Sequence, residues 1–245
     1  MEVNRPTLVL FPGAWGNRTD SLVRWWFRHV IRHFADWNII VLTYEGKTVK
    51  DYLRSAEQQL KEVEGPLFAI CYSMGAVIAR GVSARMPGRF VCVALISGLE
   101  RIGVRAKVLM NGLRVVFWPL IRTLILKPLI PDNSEQVERL FLSGPMSMSK
   151  RAAALEIFSK MTPESARAIL ALAVPGLRQT QPRFTCPVMA IVPRDDFFFP
   201  DQGDLYRGED VVEVRSEGAH GLICTDRDAL HPQLQRIHRF FATHL

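Results

Sequence analysis

The sequence predicts an α/β protein built on a mostly parallel sheet with helices on both faces. Three observations carry this. Short, continuous apolar runs alternate with helix-periodic stretches over roughly the first 100 residues. Those runs lack the in–out alternation of a half-exposed sheet, so both of their faces are expected to be covered. The same strand–helix order then resumes near residue 184, after a stretch of different character.

Taken in order, TLVLF (Thr7–Phe11) reads as a buried strand closed by a Pro12-Gly13 turn. SLVRWWFRHVIRHF places Leu22, Trp25, Trp26, His29, Val30 and His33 at helical spacing and reads as one helix, capped by Asp20 or Ser21. NIIVLTY is a second strand, and VKDYLRSAEQQLKEVE is a polar amphipathic helix ended by Gly65-Pro66. LFAICYS is a third strand, MGAVIARGVSARM a helix of small residues, and FVCVALIS a fourth strand. From Arg101 to Arg183 the pattern becomes helix-like, broken by Pro119, Pro128, Pro131, Pro145, Pro163 and Pro175, without a convincing strand. PVMAIVP, DVVEVRS and a closing helix PQLQRIHRFFATHL then complete the α/β order. The expected organisation is a core of residues 1–100 and 184–245, interrupted by a helical insertion at 101–183.

Composition fits one globular unit with ample core: 245 residues, 48% hydrophobic and 22% charged. The polar Met1–Thr7 leads into only a short apolar run, so no signal peptide is expected. Cys71, Cys92, Cys186 and Cys224 show no paired spacing, and reduced, buried thiols in a cytoplasmic protein are expected. The net charge of +7 is concentrated. Between Arg101 and Arg183 stand 13 cations, including Arg105, Lys107, Arg114, Arg122 and Arg178, against five acids, Asp132, Glu135, Glu138, Glu156 and Glu164. The insertion is therefore about +8 and the remainder close to neutral.

Chemistry concentrates around AICYSMGAVIAR. A serine between a strand and a helix matches the nucleophile elbow, G-x-S-x-G, with Gly75 in place and Cys71 standing where the leading glycine would be. Taken alone, Ser73 reads equally as a capping serine. PRDDFFFP follows a later strand and holds Asp196, and EGAHG follows the last strand and holds His220. In a parallel sheet the loops after the strands share one edge, so Ser73, Asp196 and His220 are expected to converge there. Asp195 and Glu100 are alternative acids. His220 stands apart from the other histidines by following a strand within G-x-H. His29 and His33 lie four apart without a third ligand nearby, so packing beside Trp25 and Trp26 is expected and no metal. No G-x-G-x-x-G follows a strand and no Walker loop is present, which excludes nucleotide chemistry; no cofactor is implied.

These pieces together resemble the α/β-hydrolase superfamily, in its serine esterase, lipase and thioesterase branches, over nearly the whole chain outside the insertion. The elbow falls on Cys71–Gly75, the acid motif D-x-x-x-P on Asp196–Pro200 and G-x-H on Gly218–His220. LVLFPGAWGN is similar to the oxyanion loop, with Pro12 in place of the usual histidine, and the insertion lies where members carry a helical cap. The resemblance implies Ser73 as nucleophile, His220 as general base, Asp196 as its orienting acid, and the backbone N–H groups of Ala14 and Met74 as oxyanion donors. With Cys71 in the elbow, backbone strain is expected there without the freedom of glycine.

The implied reaction is cleavage of a carboxylic ester with an aliphatic acyl chain, through an acyl-enzyme. A thioesterase or acyltransferase using a carrier-bound acyl group is the alternative, and a non-catalytic binding protein is a third. RIGVRAKVLMNGLRVVFWPLIRTLILKPLI is apolar with regular cations, and Arg114, Pro119 and Arg122 interrupt any span. It suits a cap closing an acyl pocket, or an interfacial helix. The basic charge allows contact with an anionic membrane or an acidic carrier protein, and no nucleic acid is expected.

Overall fold

The computed structural model describes residues 5–100, 115, 117–142, 147–173, 182–198, 206, 209–225 and 227–245. Its centre is a six-stranded sheet, β1 (Thr7–Phe11), β2 (Asn38–Val41), β3 (Leu67–Tyr72), β4 (Phe90–Ile96), β5 (Val188–Pro193) and β6 (Val211–Ser216). The strand order is β2-β1-β3-β4-β5-β6, and every pairing is parallel. β1, β3 and β5 are buried at every residue, as covered parallel strands must be, while the edge strands β2 and β6 are mixed.

The stretch read as one helix after β1 is two, α1 (Asp20–Trp26) and α2 (Arg28–His33), meeting at Phe27. The cap is Thr19, whose side chain accepts from the Leu22 N–H, and neither Asp20 nor Ser21 serves. α3 (Val49–Lys61) starts on a capping box made by Thr48 and Asp51 and buries Tyr52, Leu53, Ala56 and Leu60 along one face. α4 (Gly75–Arg85) is buried from Gly75 to Ser83, and its run of small residues lets it sit close to the sheet. After β4 come the helices α5 (Phe117–Leu124), α6 (Ser134–Phe141), α7 (Met148–Ser159) and α8 (Ala166–Ala173). Within the described part of this segment the one β contact is an isolated bridge between Leu129 and Glu164. Arg101, Arg105, Lys107, Arg114 and Arg178 lie outside the described residues.

A short α9 (Leu222–Thr225) follows β6, and α10 (Arg227–Ala242) closes the chain. α10 begins five residues earlier than the sequence pattern suggests, carrying Pro232 within it. All four cysteines are free; Cys71, Cys92 and Cys224 are buried and Cys186 half-buried. Burial pushes the Cys92 and Cys224 thiols up to about 12, so both stay protonated and unreactive at neutral pH.

The ring partners of His33 among the described residues are two histidines and a phenylalanine, in place of the expected Trp25 and Trp26. The His33 ring meets His231 and His238 of α10, each at 5.6 Å between centroids, and Phe34 at 5.0 Å. Trp26 instead stacks on Tyr72 beneath the site. The His33 pKa is lowered from 6.5, first by burial and then by His238 and His231, against a contrary pull from Asp36. Below pH 6.5 the unfolded chain therefore takes up this proton before the folded one does. Stability falls as pH drops from there towards the lower folded value. His33→Phe removes that titration while keeping an aromatic ring. Its melting temperature should fall less than the wild type's between about pH 7 and about pH 5; equal falls in thermal melts would locate the acid sensitivity elsewhere.

Candidate active site

The site lies where β1, β3, β5 and β6 end. β1 pairs with β3 with Phe11 opposite Cys71, so the Pro12–Trp15 loop and the turn at Ser73 leave the sheet side by side. β5 pairs with β6 with Pro193 opposite Ser216, which brings the Asp196 and His220 loops together in the same way. Arg194 N–H donates to the Ser216 carbonyl and Asp195 N–H to that of Gly218, fixing one loop on the other.

Ser73 occupies the left-handed region at φ 50. The strain expected at Cys71 sits at the serine itself, and Cys71 continues β3 as an ordinary buried strand residue. A serine held there is costly, and the surrounding packing must enforce it. Gly75 supplies that packing: a Cβ on it would stand 2.2 Å from the Phe11 carbonyl oxygen, so only glycine lets α4 start this close to β1. Gly13 is similarly confined, its absent Cβ falling 3.0 Å from the Cβ of Ser73.

Ser73 Oγ lies 3.0 Å from His220 Nε2, and His220 Nδ1 lies 3.0 Å from both carboxylate oxygens of Asp196. All three residues are buried. Asp196 Oδ1 also accepts the Phe198 N–H at 2.9 Å, which orients the carboxylate. With an anion at Nδ1 the imidazole proton belongs on that nitrogen, leaving Nε2 as an acceptor facing the serine hydroxyl. Of the alternative acids, Asp195 is exposed, and Glu100 is buried four residues beyond β4. Pro200, the last residue of the acid motif, lies outside the described residues.

The His220 ring is walled by aromatic side chains: Phe198 at 4.4 Å, Tyr72 at 5.3 Å and Phe141 at 5.5 Å. Two further contacts hold its loop. The Tyr72 hydroxyl donates to the His220 carbonyl at 3.0 Å, and Gly221 N–H donates to the Phe141 carbonyl at 2.8 Å. Tyr72 and Phe141 were not singled out by the sequence; the only available signal for Tyr72 is its place beside Ser73. Burial raises the Tyr72 hydroxyl well above its ordinary pKa, so it remains a donor.

Met74 follows Ser73 directly, and Ala14 follows Gly13, whose backbone packs against the Cβ of Ser73. Among the described residues neither N–H is engaged in a hydrogen bond, whereas the Trp15 N–H next along is taken by Glu164. No group of three or more His, Cys, Asp or Glu among the described residues is arranged to hold a metal ion.

No protein-family model matches the chain, and no curated protein matches it. Solved structures do. A carboxylesterase of the ammonia-oxidizing thaumarchaeon Nitrososphaera gargenis superposes with a TM-score of 0.66 at 18% identity, covering 98% of this chain and 92% of that one. An extracellular α/β-hydrolase from a Paenibacillus species gives 0.65 at 14% identity, over 94% of this chain and 97% of that one. The carboxylesterase CesB of Bacillus subtilis gives 0.63 at 12% identity, over 99% and 86%. The fold of this chain is the α/β-hydrolase fold.

The elbow geometry makes a direct claim on Gly75. Gly75→Ala forces a methyl group against the Phe11 backbone and should destabilise the fold by about 3 kcal/mol. Urea unfolding checks this; a loss under about 0.5 kcal/mol, within the range of harmless surface changes, would mean that the β1–α4 approach is not tight.

Proposed function

We propose that the protein is a serine hydrolase cleaving a carboxylic ester with an aliphatic acyl chain. The observation that carries this is the unbroken chain of hydrogen-bonding contacts from Ser73 Oγ through His220 to Asp196. A neutral hydroxyl is a weak nucleophile, and His220 Nε2 stands where it accepts the proton as Oγ attacks the acyl carbon. Asp196 holds the Nδ1–H tautomer and stabilises the imidazolium that forms. The oxyanion is received by the Ala14 and Met74 N–H groups. His220 then returns the proton to the leaving alcohol, and a water molecule, activated in turn by His220, releases the acid. The aromatic wall of Phe198, Tyr72 and Phe141 limits water around the imidazole and strengthens these interactions.

The acyl preference rests on the cap, whose described helices bury Val137, Leu140, Phe141, Ala154 and Ile157 and place Phe141 beside His220. Thioesterase and acyltransferase chemistry share the acyl-enzyme and differ in leaving group or acceptor. A screen of p-nitrophenyl esters and acyl thioesters of graded length separates them.

A fluorophosphonate should label Ser73 and abolish turnover, and the Ser73→Ala variant should be neither labelled nor active. Asp196→Asn should lower kcat by about 10⁴, the loss seen when the triad acid is replaced, with Asp195→Asn and Glu100→Gln far milder. An unlabelled Ser73 would favour a non-catalytic binding protein, and a large loss at Glu100 alone would move the acid there.

We also propose that α5 rests on an anionic lipid surface. Trp118 is 66% exposed, Ile125 65% and Leu124 60%, with Phe117 and Leu126 also exposed. These apolar side chains neighbour the half-buried Arg122, which pairs with Asp132, and the exposed Lys127. Aromatic and aliphatic side chains ringed by cations suit a headgroup boundary better than open water. None of the described helices is long and apolar enough to cross a membrane. The chain should sediment with vesicles containing anionic phospholipid at low salt and not with zwitterionic ones, and Trp118→Ser with Ile125→Ser should abolish this. Sedimentation that ignores both charge and these substitutions would refute surface binding by α5; an acidic carrier then becomes the partner to test.

A further inference from the structure

Every polar group of Trp15 is engaged by the segment between β4 and β5. Its N–H donates to Glu164 Oε2 at 3.3 Å, and its indole N–H to the Leu129 carbonyl at 3.0 Å. Its own carbonyl accepts from the Thr162 N–H at 2.8 Å and from the Thr162 hydroxyl at 3.0 Å. Trp15 also sits at φ 65, a strained conformation for a bulky residue, so these partners hold a backbone that would otherwise relax.

Glu164 is the hub of this clamp. It is 1% exposed and precedes α8. Its Oε2 accepts from Asn17 Nδ2 at 2.7 Å as well as from Trp15, and Asn17 Nδ2 donates onward to the Gly13 carbonyl at 3.2 Å. Its Oε1 accepts from the Tyr52 hydroxyl at 2.5 Å, the Ser165 N–H at 2.8 Å and Arg18 Nη2 at 3.4 Å. Its backbone exchanges two 2.8 Å bonds with Leu129, whose carbonyl also receives the Trp15 indole. Burial and the Glu164 carboxylate raise the Tyr52 pKa, keeping that hydroxyl a donor.

The consequence falls on Ala14. The peptide groups on either side of it are both fixed through one carboxylate, Gly13 by way of Asn17 and Trp15 directly. We propose that Glu164 is the positioning residue of the oxyanion hole: it holds the Gly13–Trp15 backbone so that the Ala14 N–H faces the oxygen attached at Ser73. The cap thereby contributes to acylation without touching the reacting atoms. This rests on the hydrolase reading for its effect on rate, and on the geometry alone for its effect on the loop.

The test compares Glu164→Ala and Glu164→Gln with wild type by three measurements. These are turnover of p-nitrophenyl butyrate, inhibition by an alkyl boronic acid, which forms a tetrahedral adduct on the serine, and amide hydrogen exchange. Removing an oxyanion donor outright costs about 10²–10³ in kcat, so a misplaced one should cost about 10- to 100-fold. In Glu164→Ala, kcat should fall by that amount with KM within about twofold, and the boronate should bind more weakly by a comparable factor. Exchange should rise in residues 12–17 and stay unchanged in α10. Glu164→Gln, which retains one carbonyl acceptor, should lie between, and it serves alone where the alanine variant does not fold. Wild-type exchange in residues 12–17, or full kcat and boronate affinity in a folded variant, would overturn the proposal. A wild type that neither turns over ester nor reacts with fluorophosphonate would sink the hydrolase reading instead, and the exchange measurement then decides the clamp on its own.

Discussion

Because Phe11 of β1 pairs with Cys71 of β3 in parallel, the turns that follow the two strands leave the sheet at one level, side by side. Everything in the candidate site follows from that register and its counterpart between Pro193 and Ser216. A slip of one residue would turn each strand's side chains to the opposite face. The loop carrying Ala14 would then no longer stand beside Ser73, and the Asp196 loop would miss that of His220. The strain at Ser73 is tolerable only inside this frame. α4 must start against the Phe11 carbonyl, and a glycine at 75 makes the approach possible. Ser73, the Pro12–Trp15 loop and the helix that crosses from β3 to β4 are thus one packing problem with one solution.

Much of this is legible in the sequence because it depends on local pattern. Continuous apolar runs mark the strands, and the position of Ser73, Asp196 and His220 just beyond three of them forecasts a common edge. Helix limits are less legible. Thr19 caps α1 although Asp20 and Ser21 are equally good capping types, because the cap is chosen by where the chain leaves the loop after β1. α10 runs through Pro232, which sequence rules would place at a helix start, because Leu230, Gln233, Leu234 and Ile237 are drawn onto the core face. The motif points to strain at Cys71, where its leading glycine is replaced; the backbone places it on the serine.

What sequence does not show is long-range pairing. His33 meets His231 and His238 across a gap of about 200 positions, and no periodicity within α2 encodes the identity of α10's inward face. Glu164 is the sharper case. In the sequence it is one of five acids in a basic segment, and electrostatic patterning alone reads it as a surface charge. Its burial becomes intelligible only when Trp15, Asn17, Arg18 and Tyr52 are brought to it from the core.

That burial bears on how the segment between β4 and β5 is held on the sheet domain's β1 loop. A carboxylate taken out of water carries a large desolvation cost, which is offset only when its lone pairs are fully used. Glu164 meets this condition with five donors, four of them from the part of the chain before β3: Trp15, Asn17, Arg18 and Tyr52. Were the segment between β4 and β5 to lift away, the Trp15 N–H would lose its carboxylate acceptor and Asn17 would keep only the Gly13 carbonyl. The seating of the segment between β4 and β5 and the order of the Pro12–Trp15 loop therefore stabilise each other. Apolar packing of Val137, Leu140 and Phe141 holds their segment down without specifying its position to an ångström. Directional bonds that join Glu164, Thr162 and Leu129 to Trp15 supply that positional specificity, and on the proposed mechanism they do so next to the N–H whose small displacement costs most.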